Sequence, residues 1–374
     1  MAGRIVPIAL TASQARVELE RVWSDGDVAL LLPADDPGRG LPDRVGPGAD
    51  ASAALPDDAA AIVMTSGSTG DPRGVVLTHG ALEAAVDASN ARIGCRPGDR
   101  WALALPLHHV AGLMVVLRSR ALGTDAVALA HGRDAHVALV PTQLARLLRA
   151  DADLSRFATI LVGGGPAPEG LLDAARAAGG RVVASYGMTE TCGGCVHDGL
   201  PLDGVEVALG SGGRIRLRGP VLAAGYLGAP DVDDDGGGFG PDGWFVTSDR
   251  GRLEDGRLVV EGRADDLIIT GGAKVAPVAV VRALLTHPGV EDAVVVGVDD
   301  PEWGQRVRAV VVPSPGVEPP RLEALRAHVR RSMPTTAAPT ELLVVASLPR
   351  DGLGKVTAAR RRELAALDPT ERRA

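Results

Sequence analysis

Along the first half of the chain, short runs of Val, Ile, Leu and Ala alternate with stretches whose apolar residues recur at helical spacing. The runs "AAIVMT" (60–65), "GVVLTH" (74–79), "WALALPL" (101–107) and "ATILVGGG" (158–165) predict strands, the third of them buried. "GALEAAVDASNARIG" (80–94) and "APEGLLDAARAAGG" (167–180) predict helices. Strands alternating with helices make an α/β domain. From about Ile215 the texture changes to short strands between glycine turns: "RIRLRGPV", "GWFVTSD", "GRLVVEGR" and "DDLIIT". "DVDDDGGGFGPDG" (231–243) predicts a polar, glycine-rich loop.

A second unit follows. "VAVVRALLTH" predicts a helix that stops before Pro288, and "DAVVVGV" and "VRAVVV" predict strands. "RLEALRAHVRRSM" places Leu322, Leu325, Val329 and Met333 on one helical face, and "ELLVVASL" is a last strand before a terminal helix. This mixture predicts a small α+β domain. With the boundary near 262–266, residues 1–264 form a large α/β N-terminal domain and 265–374 a small, mobile C-terminal one. No internal repeat or coiled-coil heptad is present.

Composition narrows the class. The 374 residues are 45% hydrophobic and 23% charged, as in a globular protein. A net charge of -8 argues against nucleic acid as partner, and the arginine runs at 330–331 and 360–362 read as solvated helix faces. The apolar patch near the start is broken by Pro7, and "WALALPLHHVAGLMVVL" by Pro106 and two histidines, so the expectation is a cytoplasmic protein without a membrane span. Three cysteines suggest no disulfide framework, and the pair Cys192 and Cys195 lacks two further zinc ligands at recognisable spacing. The 39 basic residues are 37 arginines and two lysines, Lys274 and Lys355. Where arginine has replaced nearly every surface cation, a surviving lysine marks a place where a compact ammonium matters, unless it survived by chance.

Between the first two runs lies "TSGSTGDPRG" (65–74). It joins strand to strand and does not match the strand-to-helix phosphate loop G-x-x-x-x-G-K-[ST]. Even so, Gly67, Gly70 and Gly74 allow backbone N–H groups to converge on an anion, Thr65, Ser66, Ser68 and Thr69 add hydroxyl donors, and Arg73 adds charge. A Ser/Gly cluster alone would be an ordinary loop.

The rest of the chain supplies the context, because over residues 60–365 the sequence resembles the adenylate-forming enzymes. These include acyl- and aryl-CoA ligases, luciferases and the adenylation domains of peptide synthetases. "TSGSTGDPRGVVLTH" resembles the family's phosphate loop, with Arg73 where a lysine is commoner. "SYGMTE" (185–190) resembles the adenine and metal motif. There Tyr186 would stack on adenine, Gly187 would line the nucleotide and acyl sites, Thr189 would donate to phosphate, and Glu190 would offer Mg²⁺ a hard oxygen. "GGGPAPEGLL" (163–172) is similar to the segment lining the nucleotide and acyl pockets, with Gly164 towards ATP and Gly163 towards the acid. Asp249 in "GWFVTSDRG" matches a ribose-binding aspartate, although Ser248 stands where glycine is more frequent. Arg263 matches a ribose and phosphate contact, and Asp265 the hinge between domains.

Both lysines fall inside such motifs. Lys355 in "LPRDGLGKVTAARRREL" matches the catalytic lysine of the C-terminal domain. Gly272 and Lys274 in "GGAKVAP" match the loop facing CoA, while Ala279 replaces a frequent glutamate. The resemblance implies attack of a carboxylate on the α-phosphate of MgATP, giving acyl-AMP and pyrophosphate, then displacement of AMP by CoA, with Lys355, Glu190 and Arg73 catalytic. The loop begins near residue 65, which implies a truncated N-terminal subdomain. With "LPLHHVAGL" and "SYGMTETCGG", this short form most resembles actinobacterial o-succinylbenzoate:CoA ligases of menaquinone biosynthesis. His109 matches a histidine beside the acyl pocket, or is simply a helix-start residue; His108 stands where the family varies, and His79 reads as helix entry after the cap Thr78. Alternatives are a ligase that loads another aryl or acyl acid onto CoA or a carrier protein, and a non-catalytic nucleotide-binding protein. A homodimer is a further expectation.

Overall fold

The structure, a computed structural model, describes residues 4–9, 14–33, 55–65, 73–167, 170–228, 232, 237–263, 266–350 and 356–372. Strands β1 (Ile5–Ala9), β2 (Val28–Leu32) and β3 (Ala59–Thr65) run parallel, with helix α1 (Ala15–Ser24) between the first two. Strand β4 (Arg73–Thr78) returns antiparallel to β3 and sets Arg73 opposite Thr65. Helix α2 (His79–Ile93) starts where Thr78, in extended backbone, accepts the Ala81 N–H at 3.1 Å, and ends at left-handed Gly94. His79 packs edge-on to Trp23 at 5.0 Å, the helix-entry role its position predicts.

The second sheet contains β5 (Trp101–Leu103), β6 (Val127–Ala128), β7 (His136–Leu139), β8 (Thr159–Val162), β9 (Val182–Met188), β10 (Gly193–His197) and β11 (Leu200–Pro201), in the order β11-β10-β9-β8-β7-β5-β6. Its five strands from β5 to β9 are parallel, and β10 and β11 add an antiparallel edge. Helices α3 (Val110–Ala121), α4 (Pro141–Arg149) and α5 (Leu171–Ala177) connect them. The "WALALPL" run is strand only as far as Leu103. The Gln143 side chain takes the Ala104 carbonyl at 2.9 Å, and Pro106 has no N–H to continue a ladder. One apolar cluster joins Val63 and Leu77 of the first sheet, Leu82 and Val86 of α2, Leu113 and Met114 of α3, and Cys195 and Val196 of the second. The helices α2 and α3 are thus held between two sheets, which fixes the strand pair β9 and β10 relative to β4.

Strands β12 (Glu206–Leu209), β13 (Arg214–Arg218), β15 (Gly238–Phe239), β16 (Phe245–Glu254) and β17 (Arg257–Arg263) make an antiparallel sheet, whereas β14 (Gly225–Tyr226) leaves it to pair with β4. The segment expected to be loop at 231–243 therefore contains a short strand, because Gly238 and Phe239 find Val246 and Phe245 across the ladder.

Strands β18 (Ile268–Thr270), β19 (Ala273–Val275), β20 (Val290–Asp300), β21 (Gly304–Pro313), β22 (Glu341–Val344) and β23 (Glu371–Arg372) form a sheet of their own, with helices α6 (Pro277–Leu285), α7 (Leu322–Val329) and α8 (Ala358–Ala366). A separate cluster of Val280, Leu284, Val295, Ala309, Leu325, Val329 and Leu342 forms its core, with Met333 packed at its margin. The buried Arg308 guanidinium binds Glu341 and the Leu364, Ala365 and Leu367 carbonyls, so it caps α8 from beneath. The architecture is thus an α/β N-terminal part followed by a small α+β part. Among the described residues, no helix is long and apolar enough to cross a membrane.

Candidate active site

Strand β9 runs into a single helical turn, Thr189–Thr191, and the chain returns as β10. The Thr191 hydroxyl closes this turn, accepting the Met188 N–H at 3.0 Å and donating to the Gly193 carbonyl at 2.7 Å. Gly187 has to be glycine, because a Cβ there would collide with the Gly193 carbonyl. The turn presents Thr189 and Glu190 at the end of the β9–β10 pair, with Tyr186 three residues before it.

The Tyr186 hydroxyl donates to Asp249 Oδ2 at 2.9 Å. Burial, and then the nearby Asp249 carboxylate, push this phenol well above its ordinary range, so it stays a donor. Asp249 lies opposite Arg263 in the β16–β17 register, and its N–H bonds the Thr247 hydroxyl at 3.0 Å. Three residues named from sequence, Tyr186, Asp249 and Arg263, are thereby gathered from two sheets.

A second group stands on β4 and β14. The Tyr226 hydroxyl donates to Glu190 Oε1 at 3.0 Å, and the Arg73 guanidinium lies 5.1 Å from the Tyr226 ring centroid. The Thr65 hydroxyl bonds the Arg73 carbonyl at 3.3 Å. At Gly74 a Cβ would crowd the Ile62 side chain at 3.1 Å, so strand packing by itself favours glycine.

Gly163 lies where a Cβ would come within 2.8 Å of the Ser185 carbonyl, and Gly164 has a left-handed φ of 81°. This glycine pair lets the end of β8 lie against β9. His109 caps α3 in extended backbone, with its ring 4.2 Å from that of His108. Gly271 and Gly272, both at positive φ, turn the β18–β19 hairpin, and exposed Lys274 follows on β19. This hairpin belongs to the C-terminal sheet, apart from the Tyr186 and Glu190 groups. Ser66, Gly67, Ser68, Thr69, Gly70, Asp265 and Lys355 lie outside the described residues.

Sequence reasoning passed over Tyr226, whose signal was that the chain has only two tyrosines. It also could not single out Arg118, which is 3% exposed on α3 and pairs with no carboxylate among the described residues. Arg118 lies 4.9 Å from the Trp101 ring, and burial lowers its guanidinium to about 10. Nearby, burial and then the charges of Arg118 and Arg92 bring His197 down to about 3, so the ring is neutral. Both His197 nitrogens, Ser89 Oγ and Asn90 Oδ1 are buried without a hydrogen-bond partner among the described residues. His197 stands opposite Ser185 across the β9–β10 ladder, on the segment that carries Tyr186 and Glu190. Cys192 and Cys195 are buried thiols that burial raises to about 12.

No three His, Cys, Asp or Glu side chains gather to cage an ion among the described residues. Mg²⁺, however, takes one or two carboxylates when nucleotide phosphates supply its other oxygens. Glu190, fixed by Tyr226, fits an ion of that kind.

The sequence profile of the AMP-binding enzymes matches residues 8–227, and that of the AMP-binding enzyme C-terminal domain matches residues 282–355. A probable 2-succinylbenzoate–CoA ligase of Mycobacterium tuberculosis is 44% identical, over 95% of this chain and 96% of the relative. The o-succinylbenzoate CoA synthetase (MenE) of Bacillus subtilis, solved with the acyl-adenylate intermediate OSB-AMP, superposes with a TM-score of 0.77 at 27% identity, over 98% of this chain and 84% of that one. The same enzyme with ATP and magnesium ion gives 0.73 at 27% identity, over 95% and 83%.

Proposed function

The chain belongs to the family of AMP-binding enzymes, and from that premise we propose that it is an ATP-dependent o-succinylbenzoate:CoA ligase of menaquinone biosynthesis. It is an acid–thiol ligase that uses ATP with Mg²⁺ and CoA as co-substrate. The observation that carries the reading is a single segment, residues 185–197. It places Tyr186 on Asp249 and Glu190 on Tyr226, and it ends at the neutral His197 beside the buried Arg118. On this reading, the partners for ribose, for phosphate and for a remote carboxylate, Asp249 on β16, Arg73 on β4 and Arg118 on α3, are gathered around that one segment.

In the first step an oxygen of the substrate carboxylate attacks the α-phosphorus of ATP, and the bond to the β-phosphate oxygen breaks to release pyrophosphate. Asp249, whose rotamer the Tyr186 hydroxyl sets, accepts from the ribose hydroxyls, and Arg263 opposite it reaches ribose or phosphate. Arg73 and the loop of Thr65, Ser66, Gly67, Ser68, Thr69, Gly70 and Gly74 hold the departing phosphates, with Thr189 as a further donor. Glu190 would hold Mg²⁺, which when bound would supply positive charge against the phosphates. Lys355 acts as a fixed countercharge on the α-phosphate, and losing such a group costs about 100- to 1000-fold in rate.

In the second step the unit from Asp265 onward turns about that residue, withdraws Lys355 and brings Gly272 and Lys274 to the CoA thiol. The sulfur attacks the acyl carbon and AMP leaves. Gly163, Gly164, Gly187 and His109 line the nucleotide and acyl sites. Arg118 supplies the second cation that a dianionic acid requires, since a buried guanidinium without a carboxylate is otherwise costly. The reading places the enzyme in the cytoplasm, as a homodimer. ATP–pyrophosphate exchange tests it, with o-succinylbenzoate beside a panel of aryl and fatty acids in the absence of CoA. Exchange with o-succinylbenzoate alone supports the reading; exchange with a different acid replaces the substrate, and exchange with none overturns the activity.

A further inference from the structure

We propose that Tyr226 is a positioning residue that couples the metal-binding carboxylate to the phosphate-binding strand. The inference rests on the reading above for what Glu190 and Arg73 hold. Strand β14 is only two residues long, yet it is tied on both sides. Tyr226 pairs with Val75 of β4, the Leu227 N–H donates to the Gly74 carbonyl at 2.8 Å, and the Ala223 N–H donates to the Glu190 carbonyl at 2.9 Å. The backbone of 223–227 therefore spans from the turn that carries Glu190 to the strand that starts with Arg73.

The Tyr226 side chain repeats that span. Its hydroxyl donates to Glu190 Oε1 at 3.0 Å, and its ring faces the Arg73 guanidinium at 5.1 Å. Phe239 meets the ring edge-on at 5.4 Å and is itself packed on Phe245 at 4.6 Å. An aromatic backstop of this kind restricts rotation of the phenol, so the hydroxyl fixes the plane of the Glu190 carboxylate. Groups that orient a metal-ligating carboxylate typically contribute 10- to 100-fold in metal affinity or activity, about the range expected here. The π face also attracts the Arg73 cation, which holds it over the start of β4. One side chain thus sets both the direction of the carboxylate and the place of the cation.

Two substitutions separate the hydroxyl from the ring. Tyr226→Phe keeps the ring and removes the donor; Tyr226→Leu removes both. Mn²⁺ binding to the ATP-loaded protein, followed by electron paramagnetic resonance without any acid, reads the metal directly. Metal-free ATP affinity reads the cation. Tyr226→Phe should weaken Mn²⁺ binding about 10-fold and leave metal-free ATP affinity unchanged, while Tyr226→Leu weakens both. Melting temperature monitors folding in both variants. Wild-type Mn²⁺ binding by Tyr226→Phe overturns the proposal. So does an equal loss with and without metal in that variant, which marks a merely structural role. If Tyr226→Leu does not fold, the phenylalanine variant decides alone. Absence of pyrophosphate exchange by the wild type would strike the proposed activity and leave the metal comparison standing.

Discussion

Arg118 and His197 show how a single buried group sets the chemistry of its surroundings. A guanidinium withdrawn from water without a carboxylate costs stability, which a second carboxylate on the substrate would offset. Arg118→Met should therefore lower kcat/KM for o-succinylbenzoate about 100-fold, and change little for an analogue that lacks the second carboxylate. Its melting temperature should not fall. His197 carries a pH signature. Its folded value of about 3 lies below the ordinary 6.5, so the unfolded chain binds a proton there first as the medium is acidified. The histidine's contribution to stability is complete above the ordinary value and is lost as pH falls towards the folded one, on the order of 2 kcal/mol by about pH 5. Thermal melts from about pH 7 to about pH 5 should show the wild type losing its advantage over His197→Phe. A difference that stays constant would show that this ring does not titrate as stated.

At the scale of elements, the β9–turn–β10 segment is the part on which the site depends. Its return is possible because residue 187 has no side chain and the Thr191 hydroxyl satisfies two backbone groups of the turn. Gly187→Ala should force the two strands apart, cost several kcal/mol, and abolish ATP binding, read by melting temperature with and without the nucleotide. Only the motif of this segment was legible: "SYGMTE" carries the resemblance, whereas the strand that ends in it, the turn at Thr189–Thr191 and the return as β10 belong to no periodicity read from the chain. The run "WALALPL" was legible only in part, since its apolar character cannot reveal that Gln143 takes over the Ala104 carbonyl. The strand at Gly238–Phe239 was hidden for the opposite reason: its glycine-rich sequence has little strand character, and only the ladder with β16 makes it one.

At the scale of the whole molecule, separate apolar clusters and, among the described residues, four sheets bring the candidate site and a C-terminal sheet into one chain. Arg149 of α4 pairs with Glu291 of β20, a contact that a rotation between the half-reactions would break. Lys355→Ala should lose adenylation by about 100- to 1000-fold and still make thioester from supplied acyl-AMP and CoA. Parallel loss of both half-reactions would count against alternation of the C-terminal unit.

The sequence by itself determined the alternation of strands and helices, the change of texture near Ile215, and the separate apolar faces of the C-terminal unit, because periodicity and turn chemistry are local. It also displayed the Ser/Gly-rich stretch 65–74, the "SYGMTE" segment and the two lysines in their order. Tertiary structure alone decided that Tyr226 bonds Glu190, 36 residues away, that Tyr186 meets Asp249 at a separation of 63, and that Arg118 is buried without a carboxylate among the described residues. Such pairings depend on how sheets stack and on which groups lose water when they do, and neither is a property of a stretch of chain taken alone.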